Sequence, residues 1–361
     1  MRLLYLMHVN WFWIRQRPHV LAEKLSQNYE VQIMHFAMYH KPHKAAECPP
    51  HFPAKVIWRI PERILKIGLC FDYLNKRLLK YQINKQLKIF KPDIIWVTHP
   101  IFELAIRDSV DAYVIYDCMD DHLAFNSQSP MNLLVLEKFL LSRANITVFS
   151  SKTLSERVSN RSIIRNSITV NNGVSDTLLD LKPRSFSVNT RVGGFFFLGY
   201  FGTISHWFDW NLILILLDTF PNLHLRLAGP VETLIPQHSR IEYVGTLPHN
   251  MLIDFVQNCD ALIMPFVVNS LIEAVDPVKL YEYIAFGLPS IAPRYQETMR
   301  FYPFVSLYDD VDEALKIVER IISAPSQYLQ SHSRRFFLES NSWNVRYDQI
   351  EANIKQSLRN A

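Results

Sequence analysis

The chain has 361 residues, 49% of them apolar and 20% charged, with a formal net charge of +4. That length exceeds what one hydrophobic core supports and predicts two domains, while the composition argues against disorder. The small net charge argues against a nucleic-acid binder, no window holds the roughly 18 consecutive apolar residues of a membrane span, and Met1 to Leu6 is too short for a secretory leader.

Short apolar runs alternate with longer periodic stretches, the pattern of a parallel sheet covered on both faces, so the predicted fold class is α/β. In chain order the first strands are Leu3 to His8, Val31 to Phe36, Ile94 to Thr98, Tyr113 to Asp117 and Ile146 to Ser150. A second series follows Asn171-Asn172-Gly173, with Phe195 to Tyr200, Leu223 to Ala228, Ile241 to Val244 and Ala261 to Pro265. Of nine glycines only Gly68 precedes Gly173, so backbone turns suited to a phosphate sit in the second half. The polar stretch Asp180-Leu181-Lys182-Pro183-Arg184-Ser185 has linker character. Cys48, Cys70, Cys118 and Cys259 form no Cys-x-x-Cys pair, which argues against zinc or a disulfide framework and fits a reducing cytoplasm.

Between Glu62 and Lys91 the chain carries Arg63, Lys66, Lys76, Arg77, Lys80, Lys85, Lys88 and Lys91, interleaved with apolar residues. This reads as a basic amphipathic helix or helix pair. It is either a solvated face over a core or a surface that docks on anionic lipid, where each basic side chain contributes about 1 kcal/mol.

The segment Asp276 to Pro289 is the richest in chemistry. It follows a strand, Pro277 suits a first helical turn, and Gly287 with Pro289 suits a helix stop, which predicts a short helix after a strand's C-terminal end. The amides of its N-terminus and the ammonium of Lys279 suit a diphosphate, and the carboxylate of Glu282, a turn on, suits the two hydroxyls of a ribose. Lys279 and Glu282 at i and i+3 equally suit a surface ion pair.

The pattern Pro277-x-Lys279-x-x-Glu282-Tyr283-x-Ala285-x-Gly287-x-Pro289 resembles the donor-binding helix of bacterial GT-B glycosyltransferases related to glycosyltransferase family four. Further blocks stand in matching order: Gln16-Arg17-Pro18, Tyr116 to Asp121, Ser150-Ser151, Asn172-Gly173-Val174, Gly199 to Gly202, Gly229-Pro230 and Gly245. The resemblance implies two Rossmann-like parallel-sheet domains facing across a cleft: an acceptor-binding domain over 1–175, a nucleotide-sugar-binding domain over 176–340, and a last helix over 341–361 that packs back on the first. It further implies a UDP- or GDP-linked sugar donor, a glycan or lipid-linked acceptor, and no metal or cofactor. Carried over, Glu282 resembles the ribose carboxylate, Lys279 a diphosphate contact with Pro277 and Leu280 beside it, and Gly202 with Thr203 the loop that approaches the phosphates. Two departures stand out. Ala274, with Glu273 beside it, occupies the position of a donor-sugar glutamate, and Ser205-His206-Trp207 stands where the family often has an arginine and a lysine, leaving His206 to share the diphosphate charge.

An inverting transfer needs a base for the acceptor hydroxyl, and Asp120 and Asp121, just past a strand, are the candidates. Their pairing raises one pKa, though an N-cap role ahead of Leu123 is the alternative. Trp11, Trp13, Gln16 and Arg17 in the first loop suit a sugar or a phosphate of the acceptor, with hydrophobic packing as the alternative for the tryptophans. His99 is a further polar contact or a structural histidine. The expected activity is sugar transfer in bacterial surface polysaccharide assembly, in the cytoplasm and against the inner face of its membrane. A nucleotide-sugar epimerase of the same fold and a non-catalytic sugar-binding subunit are the other two readings.

Overall fold

The computed structural model describes residues 1–38, 49–61, 68–107, 111–125, 130–181, 194–324 and 331–359. Cys48, Arg63, Lys66 and the 182–185 part of the proposed linker lie outside them. The chain divides into one unit of Met1–Asn171 with Tyr347–Ala361 and a second of Asn172–Arg346.

In the first unit, strands β1 (Arg2–Met7), β2 (Glu30–Phe36), β3 (Ala54–Ile57), β4 (Ile94–Val97), β5 (Tyr113–Cys118), β6 (Ile146–Phe149) and β7 (Ser167–Thr169) form one parallel sheet in the order β3-β2-β1-β4-β5-β6-β7. Strands covered on both faces read as continuous apolar runs, and Leu3 to Met7 are accordingly fully buried. The register pairs Leu3 with both Val31 and Ile94, which seats β1 inside the sheet between β2 and β4. Strand order reverses between β1 and β4, so a crevice is expected beyond their C-terminal ends.

The described part of the basic segment forms a helix, Gly68–Phe90, along this sheet's edge. Leu79 and Ile83 are buried in the core. Gln82 brackets the backbone of Trp58, accepting from its N–H and donating to its carbonyl at 2.9 Å each, and Asn75 brackets Ile60 in the same way. Side-chain amides thereby satisfy backbone groups of the chain just past edge strand β3. The last helix, Trp343–Arg359, joins the first unit from Tyr347 on: Asn28 donates to the Tyr347 hydroxyl at 2.7 Å and the Tyr29 hydroxyl donates to Glu351 at 3.0 Å.

In the second unit, β8 (Phe196–Phe201), β9 (Leu223–Ala228), β10 (Ile241–Tyr243), β11 (Ala261–Ile263), β12 (Ser290–Pro293) and β13 (Ser306–Tyr308) form a parallel sheet in the order β10-β9-β8-β11-β12-β13. The order reverses between β8 and β11, again marking a ligand crevice at the C-terminal ends. Four strands escaped the sequence pattern. β3, β7 and β13 are edge strands of three or four residues, too short to show a period, and β12 is interrupted by Ser290 and Pro293. Among the described residues no helix is long and apolar enough to cross a membrane.

Candidate functional site

Three glycines with positive φ stand just beyond three adjacent strands: Gly202 after β8 (φ 130°), Gly229 after β9 (φ 133°) and Gly245 after β10 (φ 88°). They let the loops stack closely. The Gly202 amide donates to Ala228 at 2.8 Å, the Gly229 amide donates to Gly245 at 2.9 Å, and a Cβ on Gly229 would lie 2.1 Å from the Gly202 carbonyl oxygen. Thr203 is held beside them, its carbonyl accepting from the Tyr200 hydroxyl at 2.7 Å. His206 is exposed further along the same loop, 3.3 Å from the Ser205 hydroxyl.

The helix Val278–Phe286 follows β11. Pro277 is its N-cap, one position ahead of the expected first turn, and Gly287 closes it with φ 74°. Leu280 is buried in the core and its amide donates to the Pro277 carbonyl at 3.1 Å. Beneath the helix, buried Asp276 pairs with Arg300 and takes the Asn172 amide, while its own carbonyl accepts from the Asn172 side chain at 2.8 Å. Burial pushes the Asp276 carboxyl up and Arg300 opposes it, so the pair anchors the helix start in the second unit.

The ion pair that i and i+3 spacing suggested does not form. Lys279 reaches instead to the glycine loop, where a Cβ on Gly202 would lie 2.0 Å from its Cε, and its Nζ sits over the faces of Tyr200 and Phe266 at 5.7 and 5.5 Å. Among the described residues it has no carboxylate partner within ion-pair distance. Desolvation pushes its pKa down and the charge of Glu282 partly restores it. Glu282 is paired elsewhere, with Nε2 of His249 at 3.1 Å. The sequence reading missed His249, whose turn His249–Met251 follows the Gly245 loop. Ala274 is buried and Glu273 is exposed beside it.

In the first unit the C-terminal ends of β1, β4 and β5 bring together His8, His99 and His122, with ring centroids 4.4 to 5.4 Å apart. Only His99 was expected; the signal for the others was their position immediately after a strand or after the aspartate pair. Burial keeps all three neutral, holding His8 at about 3 and His122 at about 4. His8 Nδ1 lies 2.7 Å from the Thr98 hydroxyl, and His99 Nδ1 accepts from the Ile101 amide at 3.1 Å.

The two aspartates separate by environment. Asp121 is buried and its carboxylate is held by Arg157 at 3.3 Å and Arg161 at 3.0 Å, the latter also paired with Glu137 at 2.8 Å. Asp120, half-buried, has no carboxylate partner among the described residues. Burial raises it to about 6, assisted by Asp117 and Asp121 and opposed by Arg17.

Two residues expected at the acceptor belong to the core instead. Trp11 is 1% exposed, packed on His19 and edge-on to Phe52. Arg17 is buried, with Nε 2.9 Å from Asp117 and a guanidinium N–H donating to the Val170 carbonyl at 2.8 Å. Gln16 is the N-cap of the helix Arg17–Leu25, its backbone N–H donating to His19 Nδ1 at 3.1 Å, and Trp13 is half-buried nearby. Among the described residues no group of three or more His, Cys, Asp or Glu is arranged to hold a metal ion.

No family model matches the chain. A Bacillus subtilis (strain 168) protein, TuaH, is 24% identical over 280 residues, covering 71% of this chain and 70% of its own, and its name assigns it to teichuronic acid biosynthesis as a glycosyltransferase. Among solved structures, sucrose-phosphate synthase from Thermosynechococcus elongatus superposes with a TM-score of 0.78 at 13% identity over 100% of both chains. Anabaena HepE in complex with UDP gives 0.72 at 14% over 99% of this chain and 100% of its own. The lipopolysaccharide outer core galactosyltransferase WaaB gives 0.67 at 15% over 99% of both. Two parallel-sheet Rossmann-like units, each with its strand order reversed at mid-sheet, and these neighbours give the chain the GT-B fold.

Proposed function

We propose that the chain is a glycosyltransferase that moves a sugar from a nucleoside diphosphate to a hydroxyl of a glycan or lipid-linked acceptor in surface polysaccharide assembly. The observation that carries this is the seat of Lys279. Its ammonium lies on the Gly202 loop, at the strand-order reversal, instead of on the carboxylate three residues away. A cation kept partly desolvated and unneutralised beside a glycine loop is matched to a diphosphate. Glu282 is left to accept ribose hydroxyls, and HepE, of the same fold, is in complex with UDP.

In this reading the acceptor oxygen bonds to the anomeric carbon as the bond from that carbon to the diphosphate oxygen breaks. The electron pair leaves with the nucleoside diphosphate, where Lys279 and the helix dipole meet its charge, with no metal assigned. The acceptor proton passes to Asp120, whose pKa of about 6 suits a base at neutral pH. Asp121, held by two arginines, orders the loop. His99, with His8 and His122, offers neutral ring nitrogens to sugar hydroxyls.

The groove lined by Arg77, Lys80, Tyr81, Asn84, Lys85 and Lys88, about 460 Å³ in volume, supports contact with anionic lipid on the cytoplasmic side. Asp120→Asn tests the transfer itself: product formation falls by roughly 100-fold or more while donor binding persists, and in the wild type the rate climbs with pH through about 6. Unimpaired transfer by the variant would remove Asp120 as the base.

A further inference from the structure

We infer that His249 is a positioning residue for the donor nucleotide, which holds the Glu282 carboxylate in the orientation that selects a ribose over a deoxyribose. This rests on the donor-site reading above and adds to it.

On a helix surface, a lysine and a glutamate three residues apart are neighbours of opposite charge and attract. Here Lys279 stands at that spacing, and its charge state already responds to Glu282. Left alone, the carboxylate would swing toward the ammonium, neutralising the group that faces the phosphates and occupying the oxygens that face the sugar. The 3.1 Å contact from His249 Nε2 to Oε1 of Glu282 prevents this.

The contact is also placed to leave capacity. A carboxylate has two oxygens and about four lone-pair positions, of which one hydrogen bond takes one. Oε2 and the rest of Oε1 remain for two vicinal hydroxyls. The Glu282 side chain is 14% exposed, enough for a ligand to reach and too little for free rotation in water. His249 sits on the turn His249–Met251, reached from Gly245 within four residues, so the loop that supplies the imidazole is continuous with the stacked glycine turns. One side of the crevice thus carries a phosphate-facing cation and a sugar-facing anion, held apart by a third residue from a different element.

Pre-organisation of this kind acts on discrimination more than on total affinity. A fixed carboxylate rewards a ligand that offers both hydroxyls and leaves one lone pair unmet by a ligand that offers one.

The test is calorimetric titration of the full chain with UDP and 2′-deoxy-UDP, and with GDP and 2′-deoxy-GDP. The wild type binds the ribonucleotide of one pair more tightly, by roughly tenfold. His249→Ala reduces that ratio to near one while binding of the deoxy form changes little. His249→Gln, whose amide N–H reaches about where Nε2 lies, restores most of the ratio. Glu282→Ala also brings the ratio near one, and adding His249→Ala to it has no further effect. A His249→Ala protein that binds the ribonucleotide with an unchanged ratio overturns the role of His249 and leaves the donor site standing. A wild type that binds neither pair overturns both. Circular dichroism on each variant separates a lost contact from a lost fold.

Discussion

At the scale of single residues, the same side-chain types took different parts according to what surrounds them. Asp120 and Asp121 are adjacent and chemically identical, yet two guanidiniums claim one and burial raises the other. Spacing alone could not separate them, because Arg157 and Arg161 arrive from the helix Lys152–Arg161. Trp11 and Arg17 misled for a related reason: an aromatic or a guanidinium in a loop is written the same way whether it faces solvent or a buried partner such as Asp117. The histidines give a measurable consequence. His19 and His122 are buried and pushed from 6.5 to about 4 by desolvation. Below pH 6.5 the unfolded chain binds protons on these rings and the folded chain does not, so stability present at pH 7 is lost as pH falls toward 4. The loss is on the order of 3 kcal/mol per ring by pH 4. Thermal unfolding followed between pH 7.5 and 4.5 shows a falling midpoint, and His122→Gln flattens part of that fall; the same slope in variant and wild type would contradict the assignment.

At the scale of elements, the strands most legible in the sequence were the ones buried on both faces, because a central parallel strand leaves no polar position to break its apolar run. β1, β4 and β5 are of this kind or close to it, and β9 was legible instead from the alternation of His224 and Arg226 with buried leucines, whereas the edge strands β3, β7 and β13 carry too few residues to read. The helix Val278–Phe286 was legible from its punctuation, and its stop at Gly287 follows from a left-handed φ that glycine supplies without strain. The contact to His249 was not, since it joins residues 33 positions apart through two loops. The helix Gly68–Phe90 shows how one amphipathic pattern serves two purposes. Leu79 and Ile83 pack inward, while Tyr73, Tyr81 and Ile89 remain exposed among the lysines. Basic residues mixed with exposed aromatic rings suit a lipid headgroup region better than bulk water. Flotation with vesicles of anionic phospholipid recovers the wild-type chain, and Lys80→Glu with Lys85→Glu and Lys88→Glu reduces recovery several-fold at low salt. Equal recovery with neutral vesicles, or no effect of the triple variant, would end the lipid reading without touching the transfer.

At the scale of the whole molecule, two parallel sheets with the same reversal of strand order each place chemistry at their C-terminal ends. The second unit gathers cation, glycine turns and carboxylate; the first gathers Asp120 and three neutral imidazoles. This division was legible in the sequence because glycines concentrate after Gly173 and the aspartate pair lies well before it. The most direct test of the donor site is titration of the purified chain with UDP, GDP, CMP and their sugar conjugates, with wild type and Lys279→Ala side by side. Micromolar binding of one diphosphate that weakens by roughly 30-fold or more in Lys279→Ala is the predicted result, the size expected for a charge-assisted contact of about 2 kcal/mol or more. Binding of no nucleotide, or equal binding by both proteins, would contradict it.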